Sequence, residues 1–177
     1  MKITLDHNCI IDLHRATAVG DKIKEIVRNP QYQCFVVNIG ASEMLPLGVT
    51  PENYSAFDEL LASVGIADLP RLNPMGIWNV TFWDHCIWAD DKTSADADAI
   101  EQILFSLDTG APAPDQDTED DLTAKRLNQL CDVHTMWCHI HYGNDVFCTS
   151  DKNFHKASKC PKLIALGAKA VKMPADL

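Results

Sequence analysis

Ile3-Thr4-Leu5-Asp6-His7-Asn8-Cys9-Ile10-Ile11-Asp12-Leu13 is the stretch that decides the fold. Ile3-Thr4-Leu5 is short and β-prone, Asn8 suits the N-cap of a helix, and the apolar residues after it predict that helix. The chain therefore opens strand then helix, with Asp6 at the strand's carboxyl end. The same alternation recurs downstream. Asp21 to Arg28 reads as a helix, with Ile23, Ile26 and Val27 on one face and a stop at Asn29-Pro30. Cys34-Phe35-Val36-Val37 is a continuous apolar run of the kind found in strands buried on both faces. Gly40-Ala41-Ser42-Glu43-Met44 then begins a helix, which puts Glu43 just past a strand end.

Tyr54, Phe57, Leu60, Leu61 and Val64 are spaced for a helix over Pro51 to Val64, and Ile66 to Leu69 is expected to form a third strand. Asp96 to Leu107 has helical spacing. Spacing of that kind returns up to about Leu130 and again through Val133, Met136, Trp137 and Ile140, with Asp132 at the junction. Val146-Phe147-Cys148-Thr149 reads as a strand ending at Ser150-Asp151, Lys162 to Leu166 as a helix, and Ala170 to Met173 as the last strand. Strands alternating with helices predict an α/β fold, a mostly parallel sheet covered by helices on both sides.

At 177 residues the chain fits one domain, residues 1–177, carrying an insertion at about 70–121 where Pro70, Pro74, Pro112 and Pro114 punctuate the pattern. Within it, Asp115 to Asp121 is expected to be a solvated loop leading into the first turn of a helix. No apolar run reaches membrane-spanning length and the first residues lack a signal-peptide pattern, so the expectation is a cytoplasmic protein with no membrane partner. The seven cysteines are an odd number, several of them in apolar stretches, and reduced thiols are expected. A formal charge of −10 argues at first against nucleic acid. Its distribution reverses that argument. Asp84 to Asp121 holds twelve acids against the single base Lys92, a net of −11, which leaves the rest of the chain at +1.

In parallel sheets the strand carboxyl ends share one edge, so Asp6, Glu43 and Asp151, each just after a strand, are expected to converge there. Asp132, on the helix feeding the strand that ends at Asp151, reaches the same edge. Four carboxylates brought together repel unless protonated or neutralised, and hard oxygen ligands suit Mg²⁺ or Mn²⁺. Such a site supports phosphodiester hydrolysis without a Ser, Cys or His nucleophile.

The opening Asp6-His7-Asn8-Cys9 and the late Thr149-Ser150-Asp151-Lys152-Asn153-Phe154 resemble the paired motifs of the PIN-domain family, Asp-x-Asn-hydrophobic and Thr-x-Asp with Lys-x-Phe. Glu43 and Asp132 match that family's second and third acids. The resemblance covers about residues 1–65 and 120–175. It implies a three-layer α/β/α sandwich and a Mg²⁺- or Mn²⁺-dependent endoribonuclease in which Asp6, Glu43, Asp132 and Asp151 bind metal and carry catalysis. Asn8, Thr149 and Ser150 would be supporting polar groups. In the VapC-like branch such proteins are commonly toxins neutralised by a small antitoxin. Two features depart from the pattern: His7 stands where a small polar residue is usual, and the long acidic insertion is foreign to a minimal toxin.

Lys152, Lys156, Lys159 and Lys162 recur as a helix face beside Asp151, and Lys152 and Lys156 are the candidates for RNA phosphate contacts. Cys131, His134, Cys138 and His141 share a helical stripe, but its ends lie about 15 Å apart, so it reads as core-facing rather than as a zinc site. His139 and Met136 share the face of Asp132, with His139 expected to be packed or solvent-facing. Trp78, Trp83 and Trp88 are expected to pack in the core; if exposed, they would mark a protein partner or a homodimer contact rather than RNA, because their acidic neighbours repel phosphate. The alternative function is then a non-catalytic protein of the same fold that holds a protein partner through the insertion. An acyl hydrolase is disfavoured by the lack of a Gly-x-Ser-x-Gly motif.

Overall fold

The structure is a computed structural model that describes residues 1–105 and 124–177, without the side chains of residues 46, 47 and 51. The expected acidic turn at Asp115 to Asp121 and the last two residues of the predicted helix Asp96 to Leu107 lie outside the described residues.

Strand β1 (Lys2–Leu5) is central in a five-stranded sheet of order β3-β2-β1-β4-β5. Its neighbours are β2 (Gln33–Val37) on one side and β4 (Val146–Cys148) on the other, and all pairings, including those to β3 (Arg71–Leu72) and β5 (Val171–Lys172), are parallel. The register sets Ile3 opposite both Cys34 and Val146. Alternation along β1 then sorts the two faces. Ile3 and Leu5 pack with the apolar stripes of α1 (His7–His14), α2 (Ala18–Arg28) and α3 (Ser55–Ser63), including Ile10, Leu13, Ile23, Ile26, Phe57 and Leu61. The opposite face, with Val37, Leu72, Phe147 and Val171, is covered by α4 (Asp91–Phe105) and α5 (Ala124–His141) through Ile100, Leu104, Met136 and Trp137. The result is the three-layer α/β/α arrangement with a wholly parallel sheet.

Several boundaries differ from expectation for identifiable reasons. Helix α1 starts two residues early because Asp6, not Asn8, is its N-cap: the Asp6 carboxylate accepts the His7 backbone N–H at 2.8 Å. Helix α2 starts at Ala18 because the Thr17 hydroxyl caps the Gly20 N–H at 3.0 Å. A Cβ on Gly20 would lie 2.3 Å from the Asp12 carbonyl oxygen, so the absence of a side chain lets α1 and α2 meet. Ile66 to Leu69 is not a strand. Gly65, at φ 77°, ends α3, and the Ile66 N–H returns to the Leu61 carbonyl at 2.9 Å, so Ile66 is buried as the hydrophobic partner of a helix terminator. The third strand falls later, at Arg71–Leu72.

The helix expected at Gly40 to Met44 is a 3₁₀ segment, Asn38–Leu47, and the one expected from Pro51 divides into a 3₁₀ turn, Pro51–Asn53, and α3. The two predicted helical pieces around Asp132 are one helix, α5, which places Asp132 in its middle. The lysines after Asp151 do not form a helix face: residues 152–159 are turns, and α6 (Cys160–Leu163) begins only after them, continuing into a wide turn at Ile164–Ala168. All seven cysteines are free thiols. No helix among the described residues is long and apolar enough to cross a membrane.

Candidate metal centre

From β1 the connections run outward through β2 to β3, whereas β4 and β5 lie on the other side of β1. The strand order thus reverses between β1 and β4, the position where open α/β sheets present a crevice at their carboxyl edge. Asp6 follows β1 there and Thr149, Ser150 and Asp151 follow β4. The Asp6 N–H donates to the Cys148 carbonyl at 3.0 Å, which holds the two strand ends together.

Asp6 is buried, and donors surround it. Its Oδ1 accepts the His7 N–H at 2.8 Å, and its Oδ2 accepts the Asn8 side-chain amide at 3.1 Å and the Thr149 hydroxyl at 2.6 Å. Both oxygens act only as acceptors, the pattern an ionised carboxylate requires. Burial nevertheless raises its pKa against the lowering by Thr149, Asn8 and His7, and Asp151 adds to the rise. Thr149 also accepts the Asp151 N–H at 3.0 Å, so one hydroxyl couples two of the acids. Asp151 in turn accepts the Asn153 N–H at 2.8 Å, closing a turn that fixes its carboxylate.

Glu43 arrives on the 3₁₀ segment that leaves β2, anchored by buried Ile39 and Ala41. Asp132 arrives on α5, between the buried Cys131 and Val133. Burial pushes the Glu43 pKa well above the ordinary range, with further rises from Asp6 and Asp132. Burial pushes Asp132 to about 8, with Asp6 and Asp151 adding to it. Each of the four acids therefore lies within electrostatic reach of at least one other. Among the described residues none of the four is in an ion pair with Lys or Arg. The acids are coupled but not closed: among the described residues no group of three or more His, Cys, Asp or Glu side chains is set to hold an ion.

His7 packs at the rim. Its Nε2 stands 3.8 Å from Glu43 Oε2, a distance that would suit an ion pair. Burial lowers the His7 pKa to about 4, so near neutral pH the imidazole is uncharged and the contact is not an ion pair, while burial raises the Glu43 pKa. Gly40 makes room for this imidazole, since a Cβ there would meet His7 Nδ1 at 2.7 Å and the Phe57 ring at 3.1 Å. Among the described residues no hydrogen-bond partner meets that buried Nδ1.

A shallow cleft of about 400 Å³ is lined by Asn8, Ser150, Asp151 and Lys152. The two polar residues after β4 part company: Thr149 touches Asp6, whereas the Ser150 hydroxyl donates to Asp12 Oδ2 at 3.0 Å. Asp12, whose Oδ1 accepts the Thr17 hydroxyl at 2.9 Å, was not among the expected site residues. Its place four residues after Asn8, one helical turn on, is the sequence signal for it. His155, which reaches the Thr149 carbonyl with Nε2 at 3.1 Å, gives no such signal. Lys152 and Lys156 are exposed, Lys156 within 3.1 Å of Asn153 Oδ1. Lys159 is taken up by Asn153, at 2.6 Å, and by the Leu104 carbonyl.

The remaining expected features lie away from this edge. Cys131 and Cys138 are fully buried in the core, and His141 stacks on Trp137 at 4.4 Å. His139 is fully buried, with Nδ1 3.0 Å from the Thr4 hydroxyl and Nε2 2.7 Å from the Ala168 carbonyl. Compared with protein-family models, with curated proteins and with solved structures, the chain gives no match in any of the three.

Proposed function

We propose that this protein is a metal-dependent endoribonuclease whose Asp6, Glu43, Asp132 and Asp151 hold one or two Mg²⁺ or Mn²⁺ ions. One observation carries the reading: four carboxylates from four distant segments lie within electrostatic reach of one another near the strand-order reversal, burial and acidic neighbours raise the pKa of Asp6, Glu43 and Asp132, and among the described residues none of the four is in an ion pair with Lys or Arg. A cluster of buried like charges is costly unless a cation belongs there, and an all-oxygen donor set suits a hard divalent ion. Such an ion supplies activated water and charge stabilisation for phosphodiester hydrolysis. The chain's own groups do the rest. Thr149, Asn8 and the His7 N–H orient Asp6 and favour its ionised form, and the Asn153 N–H steers Asp151. Lys152, on the wall of the cleft, supplies a positive charge for a backbone phosphate.

RNA as the substrate rests on the resemblance of Asp6-x-Asn8 and Thr149-x-Asp151 to the paired family motifs, and a small inhibitory antitoxin belongs to the same reading. RNA cleavage measured with Mn²⁺, with EDTA and with Asp6→Asn tests it. Cleavage should need the metal and vanish in the variant. Activity that survives both chelation and the substitution overturns the proposal.

A further inference from the structure

Three tryptophans stand in solvent on the segment between β3 and α4. Trp78 is 74% exposed, Trp83 53% and Trp88 85%, whereas the fourth, Trp137, is 1% exposed. They form a row: Trp78 and Trp83 have ring centroids 5.6 Å apart at 70°, and Trp83 and Trp88 are again 5.6 Å apart at 42°. Exposed indoles gathered this way are expensive to hydrate and are typical of binding hot spots.

The row is held by its own buried anchors. Val80 and Phe82 are in the core, and Phe82 meets the Tyr54 ring edge-on at 5.1 Å. His85 stacks flat on the same Tyr54 ring at 3.7 Å. The Thr81 hydroxyl accepts the Ile77 N–H at 2.7 Å and donates to the Ile77 carbonyl at 3.1 Å, pinning the turn that presents Trp78. Pairing of Gly76 and Ile87, with the Gly76 N–H on the Ile87 carbonyl at 2.9 Å, closes the segment before Trp88. The indoles are thus presented by a pinned turn, and little ordering remains to be done on binding.

Charge along this segment is mostly negative. Between Asn73 and Asp98 five acids, Asp84, Asp90, Asp91, Asp96 and Asp98, face the single base Lys92. Among the described residues none of the five is in an ion pair.

We propose that Trp78, Trp83 and Trp88 form a docking surface for a basic peptide segment of a partner protein, its Arg or Lys side chains lying over the indole faces. Cations are attracted to indole faces, and the acidic rim adds long-range attraction for the same partner. The alternatives fit less well. Nucleic acid would bring phosphates against Asp84, Asp90 and Asp91, and indoles tilted by 70° and 42° offer no parallel faces for successive bases. A second copy of the chain would set like charges against each other. This surface is independent of the carboxylate site and its chemistry.

The test is titration of the whole protein with a short fluorescent Arg-rich peptide. The control is a Glu-rich peptide of equal length, and Trp88→Ala and Trp83→Ala are the variants. Trp88 is so exposed that its removal leaves the core unaltered, so a folding defect cannot mimic the effect. The expected result is binding of the Arg-rich peptide alone, weakened about tenfold in each variant, with tryptophan emission altered on binding. Affinity unchanged in both variants would assign the peptide to general charge attraction and overturn the proposal. So would tryptophan-dependent binding of a single-stranded RNA in place of the peptide, or tryptophan-dependent self-association seen by sedimentation.

Discussion

Two polar clusters share the same strand and the same helix yet are built on opposite terms. Beneath the sheet, Thr4 and His139 meet in a network with no loose ends. The Ala168 carbonyl can only accept, so His139 Nε2 carries the hydrogen; Nδ1 then accepts from the Thr4 hydroxyl, whose oxygen accepts the Asn144 amide at 2.8 Å. At the carboxyl edge, two residues after Thr4 and seven before His139, Asp6 and Asp132 belong to a cluster in which acids outnumber the charges that would offset them. Burial is similar, but compensation differs. Matched buried networks are what structure alone requires, whereas buried acids gathered without a cationic partner point to a missing one.

The largest effect expected is on cleavage: Asp6→Asn should lower metal-dependent RNA hydrolysis by about 100-fold or more while the protein stays folded. A comparable loss on removing His139 would erase the distinction between the two clusters. His139→Ala should instead act on stability, leaving Thr4, Asn144 and the Ala168 carbonyl short of a partner at a cost of about 2 kcal/mol, read as a drop in Tm of roughly 4–8 °C with cleavage unchanged at low temperature.

Most of this contrast was legible in the sequence, for reasons that can be traced. Asp6 and Asp151 follow strands whose apolar runs are unmistakable, and the period of α5 put Asp132 and His139 on one face. The direction in which that face is used was not legible. Whether a helical histidine meets a carbonyl or a metal depends on what the sheet places opposite, here Thr4 and Ala168, which are distant in sequence. The third strand was misplaced because Ile66 is apolar for the sake of a helix terminator, a local need that imitates a strand. Trp78, Trp83 and Trp88 were expected inside because composition cannot separate an anchor such as Phe82 from an exposed indole one residue later.

Thr149→Val tests the support of the acids. It removes the hydroxyl that donates to Asp6 and accepts from the Asp151 N–H, and about a tenfold loss of cleavage is expected, measured at saturating Mn²⁺. The smallest effect expected concerns pH, where the two clusters carry opposite signs. Burial lowers His139 from 6.5 to about 4, so its contribution is present above pH 6.5 and is lost as pH falls toward 4. Asp132 is raised from 3.8 to about 8, so the folded state keeps a proton that the unfolded chain releases, and stability declines as pH rises through that window. Metal-free Asp132→Asn should therefore melt a few degrees above the unsubstituted protein at pH 8 and show no gain at pH 4, in thermal scans. Equal melting at pH 8 would mean that Asp132 bears no uncompensated charge.

The central claim is that the buried acids at the strand ends, raised in pKa by burial and by one another, belong to a cation. An anomalous difference map from an Mn²⁺-soaked crystal tests it most directly. The account predicts a peak ringed by Asp6, Glu43, Asp132 and Asp151, absent from crystals of Asp6→Asn. A soaked crystal with no peak at that edge, or with Mn²⁺ held only elsewhere, would contradict it.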